Sequence, residues 1–313
     1  MRDTKPAPIT SLPVIVGPTA SGKSELGLSL AERLNGEIVN LDSVQVYRRL
    51  YIATAKVPLE GRRGIPHHLI DIVEPTDNFT AGEYARRATE VIRDIESRGH
   101  IPILVGGTGF YLRALVMPLF EGPNTDLALR GRLRKIAEAR GAEHLHRMLA
   151  RIDPAAASKL QPRDAPRTMR ALEVRFQTGS RLSELQPHTP EPPEFARRIV
   201  VIALCPPRDE LYSRINDRAD RMFASGLIEE VQGLLDAGIP WDAKAFQAHG
   251  YRRVVEYLRG FRTRESALEQ MKLDTRHYAK RQLSWWRAWP DVKWIYRFGD
   301  QSQAVEEALG FVT

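Results

Sequence analysis

The chain has 313 residues, with 46 Lys and Arg against 39 Asp and Glu, for a formal net charge of +7. At 42% hydrophobic and 27% charged residues the composition excludes disordered, collagenous and coiled-coil chains, and the length suits one large domain or two modest ones. A single cysteine, Cys205, excludes an internal disulfide framework and paired-thiolate zinc sites; with no apolar run near the roughly 20 residues of a membrane span, a cytosolic protein is expected.

Leu12–Gly17 (LPVIVG) is a short apolar, β-branched run closed by glycine and predicts a buried strand. From Lys23 the spacing changes to leucines four apart (Leu26, Leu30, Leu34), predicting an amphipathic helix with Gly36 as its stop. Glu37–Leu41 predicts a second strand running into Asp42, Ala81–Ser97 a helix ending before Gly99, and Ile101–Val105 a strand running into Gly106-Gly107-Thr108-Gly109. Strands alternating with helices imply right-handed βαβ units and a parallel sheet, which Ile199–Leu204 is expected to join.

Residues 124–195 lack a strand signal, are rich in Arg and Ala, and end in the cluster Pro187, Pro190, Pro192, Pro193. They read as a helical insertion hinged off the α/β core, with a uniform single domain as the alternative. The expected organisation is therefore a first core segment over 10–123, the insertion over 124–195 and a core completion over 196–313, the stretch 207–298 being largely helical. Charge is uneven along this plan: residues 250–298 hold 12 Lys/Arg and 5 Asp/Glu, whereas residues 299–313 hold no base and 3 acids. Polyanion binding should therefore draw on the C-terminal third.

Gly17-Pro18-Thr19-Ala20-Ser21-Gly22-Lys23-Ser24 fits G-x-x-x-x-G-K-[ST] between a strand and a helix, the context a phosphate-binding loop requires. Its backbone N–H groups and the helix N-terminus face phosphate oxygens, Lys23 adds a full charge, and Ser24 offers a hydroxyl to Mg²⁺. The loop suits a diphosphate as well as a nucleoside triphosphate. A kinase-type protein commonly has an acidic residue closing a neighbouring strand; here Ile101–Val105 runs into glycines, and the nearby carboxylate is Asp42. In a parallel sheet Asp42 and Thr108 share the rim with the phosphate loop.

Six segments in this order, GPTASGKS, Asp42–Tyr47 (DSVQVY), Ala53–Lys56 (ATAK), Pro66–Asp71 (PHHLID), Pro102–Tyr111 (PILVGGTGFY) and Thr275–Gln282 (TRHYAKRQ), resemble the tRNA dimethylallyltransferases from about residue 12 to residue 289. The resemblance implies a P-loop NTPase-like α/β fold, a parallel sheet flanked by helices, with a mostly helical insertion. It implies transfer of the dimethylallyl group of dimethylallyl diphosphate to the exocyclic amine of the adenosine 3′ of the anticodon, with loss of diphosphate and a requirement for Mg²⁺. The expected partners are that diphosphate and the anticodon stem-loop of tRNA, with no membrane and a monomeric chain. Ser24 in place of threonine is tolerated in such a loop, Arg253 stands where glutamine is common and receives no role, and no zinc-finger extension is seen, as in bacterial-type relatives.

Roles follow residue by residue. Gly17 to Ser24, with Arg214 and Arg218 four apart on a predicted helix, would hold the diphosphate, although the two arginines would equally suit a solvated helix face. Asp42 would accept the amine proton, the role the family gives the matching aspartate, or else cap a turn or hold a magnesium-bound water. Thr108 would orient the diphosphate or the amine. The target base would have to be flipped out of its loop, and Asp42, Ser43, Val44, Gln45 and Thr108 are expected against it.

Further RNA contacts are expected from Arg130, Arg163, Arg167 and Arg170 in the insertion, and from Arg276, Lys280 and Arg281 on a predicted helix over Leu273–Trp289. On that helix Arg276, Lys280 and Arg287 fall within about 40° of one another. Tyr278, Trp285 and Trp289 line a different face; the tryptophans suit the core better than base stacking. His67 and His68 point apart and, without a cysteine pair, suit placement of a loop better than zinc. The competing functions are a P-loop kinase of a small metabolite and a non-catalytic RNA-binding module.

Overall fold

The computed structural model describes residues 11–120 and 122–313. Its described residues divide into two compact units, residues 11–116 with 193–313, and residues 117–192. The larger unit is built on six parallel strands in the order β3-β2-β4-β1-β5-β6. They are β1 (Leu12–Val16), β2 (Gly36–Asn40), β3 (His67–His68), β4 (Ile101–Val105), β5 (Ile199–Leu204) and β6 (Lys293–Ile295). Strand polarity puts the ends of β1, β2 and β4, and with them the phosphate loop, Asp42 and Thr108, on one rim.

Alternate side chains of each strand enter different cores, as the two-residue period requires. Leu12, Val14 and Val16 of β1 join one cluster with Tyr84, Ile92, Tyr251 and Trp286, while Ile15 joins the other with Leu26, Leu30, Ile202 and Ala304. The second cluster is closed by α1 (Lys23–Leu34) and by a C-terminal helix, Ser302–Val312. The first is closed by α2 (Ala81–Ser97) and α3 (Gly109–Val116), and by helices that follow β5. Thr80 starts α2 by accepting the Glu83 N–H on its hydroxyl, and the helix runs over the predicted span.

Three local expectations are corrected. Gly36 is not the stop of α1: Asn35 takes the left-handed turn at φ 52°, and Gly36 opens β2 because a Cβ there would press on Ile101 O at 2.8 Å. Two edge strands were not anticipated, because β3 and β6 are only two and three residues long and carry no apolar pattern; they are strands by pairing, His67 with Ile38 and Lys293 with Ile202. The helix expected over Leu273–Trp289 starts nine residues earlier, at Arg264, with Thr263 capping it, and ends at Arg287. In it Trp286 is fully buried and Trp285 and Trp289 pack against the core, the placement expected of the tryptophans.

The smaller unit holds α4 (Leu127–Arg140), α5 (Ala142–Ile152), α6 (Pro154–Ala157), α7 (Ala165–Thr178) and α8 (Leu182–Leu185), around Leu133, Leu145, Leu149, Ala171 and Leu172. The predicted boundaries, 124 and 195, shift outward and inward for visible reasons. Phe120 packs on this core and Pro123 O accepts a hydrogen bond from Arg170 Nη2 at 3.0 Å, whereas Phe195 is buried in the larger unit's core. Glu173 is fully buried and takes a bidentate grip from Arg130, with Arg170 Nη1 3.6 Å away.

That pairing gives Arg130 a structural duty. Arg130→Ala should destabilise the 117–192 unit by about 3 kcal/mol, since it leaves the buried Glu173 carboxylate only the longer contact to Arg170. Hydrogen-exchange protection of α4 and α7 measures it, and unchanged protection would refute it.

The larger unit is completed by α9 (Arg208–Ala224), α10 (Leu227–Asp236), α11 (His249–Leu258), α12 (Arg264–Arg287) and α13 (Ser302–Val312). Among the described residues no helix is long and apolar enough to cross a membrane.

Candidate active site

The phosphate loop is held in place by two glycines that nothing else could replace. Gly17 has φ 137° with its missing Cβ only 2.8 Å from Leu204 O, and Gly22 has φ 87° against the backbone of Gly299 and Asp300. Gly299 N–H donates to Ser21 O at 2.9 Å, so the turn before α13 supports the loop from outside. Lys23 Nζ donates to Pro18 O at 2.6 Å across the loop, and Ser24 is exposed at the start of α1. Burial pushes the Lys23 ammonium down to about 8, Asp42 pulls it back up, and the Arg218 charge adds to the fall.

These residues line a cavity of about 680 Å³. The phosphate loop contributes Thr19, Ala20, Gly22, Lys23 and Ser24, and α9 contributes Arg214, Asp217, Arg218 and Arg221. Arg214 is steered by Asp300 at 2.8 Å and lies 3.6 Å over the Phe298 ring, while Arg218 Nη1 sits 3.5 Å from Thr19 Oγ1. The four-residue step on α9 thus puts both predicted arginines on the cavity face. Burial lowers Arg218's affinity for its proton, and Asp42 opposes that. Four basic side chains gathered here, Lys23, Arg214, Arg218 and Arg221, favour a polyanion.

Asp42 and Gln45 line the same cavity from the end of β2. Asp42 Oδ1 accepts the N–H groups of Val44 at 2.8 Å and Gln45 at 3.3 Å, so the turn-capping role holds for this oxygen; Oδ2 takes no hydrogen bond from the described residues. Thr108 does not line the cavity directly. Its Oγ1 accepts the Ser43 N–H at 3.0 Å and lies 3.3 Å from Ser43 Oγ, tying the β4 turn to the β2 turn. Gly106 permits this approach, because its Cβ would strike Leu41. Ser43, next to Asp42 in the chain, does not line the cavity, and Val44 packs against the core. Gln45 Nε2 donates to Thr54 O at 3.1 Å.

The remaining expected contacts are not gathered there. Arg276 reaches Asn216 Oδ1 at 3.4 Å, Lys280 is exposed, and Arg281 lies 3.3 Å from His249 Nε2 and over the Tyr278 ring. In the insertion Arg163 and Arg167 are outward side chains, 89% and 72% exposed, near Glu143 and Asp164, while Arg130 and Arg170 are held on Glu173. Arg253 has structural partners, Asp274 at 2.6 Å and Glu256 at 2.7 Å.

Tyr278, Gln282 and His67 line the cavity without having been expected in the site, as do Asp217, Arg221 and Asp300. Gln282 and Tyr278, one turn apart on α12, both line the cavity, and burial holds the Tyr278 phenol protonated well above its usual range. The four-residue step inside Thr275–Gln282 was the available signal. His67 also lines it: its Nδ1 donates to Ile65 O at 2.8 Å, and burial lowers its pKa. His68 instead joins Glu37 at 2.6 Å, where the Arg98 guanidinium, before His68, holds the Glu37 carboxyl down to about 2. Among the described residues no cluster of three or more His, Cys, Asp or Glu forms a metal site.

A family model described as IPP transferase matches residues 45–289. The chain belongs to the IPP transferase family. It is 47% identical over 306 residues to a tRNA dimethylallyltransferase of Solibacter usitatus, covering 95% of this chain and 96% of that one. It is 49% identical over 289 residues to a tRNA dimethylallyltransferase of Geobacter sulfurreducens, covering 91% and 92%. Among solved structures, the full-length tRNA isopentenylpyrophosphate transferase of Bacillus halodurans aligns at TM-score 0.71 and 40% identity over 97% of this chain and 95% of that one. A eukaryotic dimethylallyltransferase acting on tRNA aligns at TM-score 0.70 and 32% identity, over 88% of this chain and 69% of that one. The P-loop NTPase-like α/β fold expected from the sequence is the fold of these structures.

Proposed function

We propose that this protein transfers the dimethylallyl group of dimethylallyl diphosphate to the exocyclic amine of the adenosine immediately 3′ of the anticodon in tRNA, in the cytoplasm. The observation that carries the reading is one cavity holding both halves of the chemistry: a phosphate loop with Lys23, Arg214 and Arg218, and the Asp42 carboxylate facing the same space. The bond from the allylic carbon to the diphosphate oxygen breaks, the bond from that carbon to the adenine nitrogen forms, and the amine proton passes to Asp42. Diphosphate leaves into the basic end, where charge is stabilised as it develops.

Magnesium fits this donor set. It keeps most of its waters and is usually held by few protein groups together with substrate phosphates. The Ser24 hydroxyl at the cavity wall is the group that would hold it, beside the diphosphate. The ion, when bound, supplies further positive charge to the departing diphosphate.

Adenine must leave its stack to reach Asp42; Gln45 and the Ser43–Thr108 pair stand beside Asp42 to meet its edge. Arg163 and Arg167 of the insertion and Arg276, Lys280 and Arg281 of α12 are the proposed phosphate contacts. With five such contacts, tRNA affinity should fall roughly 100-fold between about 50 and about 200 mM salt as counterions are released. Filter binding across that range measures it, and a flat curve would return these arginines to ordinary solvated surface.

The reading itself is tested by incubating the protein with Mg²⁺, labelled dimethylallyl diphosphate and unmodified tRNA. Label should enter RNA with release of diphosphate. ATP turnover on a small acceptor with no label in RNA would establish the kinase reading instead.

A further inference from the structure

We infer that Gln282 is a positioning residue for the transfer, setting the phosphate loop against the Thr108 turn through the two ends of one amide. This rests on the function proposed above. Gln282 is only 5% exposed on α12 and reaches the cavity from beneath. Its Oε1 accepts the Thr19 N–H at 2.9 Å, and its Nε2 donates to Gly107 O at 3.1 Å. Thr19 belongs to the phosphate loop and lies 3.5 Å from Arg218, while Gly107 directly precedes Thr108, which holds the Ser43 backbone beside Asp42. One side chain from a distant helix therefore joins the loop that takes the leaving group to the turn that places the acceptor.

The fit is specific to an amide of this length. A donor is needed at one end and an acceptor at the other, which a primary amide supplies without charge. Gly107 leaves room for it, since a Cβ there would collide with Nε2. The bond also occupies the Thr19 N–H, so this group of the loop is satisfied by protein rather than left for phosphate. Gln282 acts through Thr19 and Thr108, and its loss should be felt where those two elements meet the donor.

Gln282→Ala should raise the donor KM and lower kcat, together about tenfold or more in kcat/KM, with tRNA affinity within about twofold of the parent. Gln282→Glu separates positioning from simple packing. As a carboxylate it can only accept and repels Gly107 O; protonated, its O–H donates to Gly107 O while its carbonyl accepts from Thr19. Burial should raise this carboxyl's pKa into the working range.

The kcat/KM of Gln282→Glu divided by that of the parent should therefore climb as pH falls from about 8.5 to about 5.5. Dividing by the parent removes the titration of Asp42 and Lys23, and the ratio reads even if the alanine variant does not fold. A pH-independent ratio, or Gln282→Ala with the parent's kcat and KM, would overturn the inference. A parent protein that transfers nothing would instead fail the proposed function, so the two failures are distinct.

Discussion

Replacing Asp42 by Asn should lower kcat by about 100- to 10,000-fold, the usual worth of a positioned general base, while the affinities for tRNA and for the diphosphate change little. The choice of Asn matters. Asp42 Oδ1 caps the turn by accepting from Val44 and Gln45 N–H, and an amide oxygen keeps both bonds. What Asn removes is the second oxygen's capacity to take a proton. Asp42→Ala would remove both functions and confuse turn geometry with chemistry. Single-turnover rates with both substrates saturating measure the difference, and a variant within tenfold of the parent would show that Asp42 is only a cap.

The second large effect belongs to Lys23. Lys23→Met keeps the stem of the side chain and deletes the charge proposed to meet the diphosphate, which should cost about 100- to 1,000-fold in kcat/KM. The protonation state adds a pH signature. Burial sets the Lys23 pKa in the free protein near 8, so below about pH 8 the ammonium is present and above it progressively lost. In the proposed function the donor diphosphate binds the charged form, so its Kd should rise as pH passes upward through that value. Lys23→Met should lack this rise. For stability the sign is opposite: the unfolded chain holds the proton that the folded chain releases, so Lys23 makes folding more favourable as pH climbs from about 8 toward its ordinary value. Titration calorimetry with the diphosphate across this range, on parent and variant, tests the binding effect; a pH-independent Kd in the parent would contradict it.

Much of the core was legible because its signals are local. The run LPVIV, the leucines of α1, the helical spacing over Ala81–Ser97 and the run IVVIAL each prescribe an element by composition and period over a few residues. The phosphate loop and Asp42 followed from strand polarity, which brings separate strand ends to one rim. His67–His68 and Lys293–Ile295 carried no such signal, since a neighbour's backbone alone makes them strands. The four-residue step placed Arg214 and Arg218 on the cavity face of α9. The same step between Tyr278 and Gln282 lay inside a quoted motif, but the partners of Gln282, at Thr19 and Gly107, lie 263 and 175 residues away in sequence. Charge was the least specific guide: Arg130 and Arg170 read as free arginines, and the buried carboxylate of Glu173 that holds them is invisible until α4 and α7 pack together.

The account turns on where the transferred group ends. After reaction with labelled dimethylallyl diphosphate, the tRNA is digested to nucleosides and the label located by chromatography and mass spectrometry. The account predicts one dimethylallyl group per tRNA, on the exocyclic amine of the adenosine 3′ of the anticodon, formed by the parent and absent with Asp42→Asn. Label on another nucleoside, on the ribose or on the protein, or equal labelling by Asp42→Asn, would contradict it.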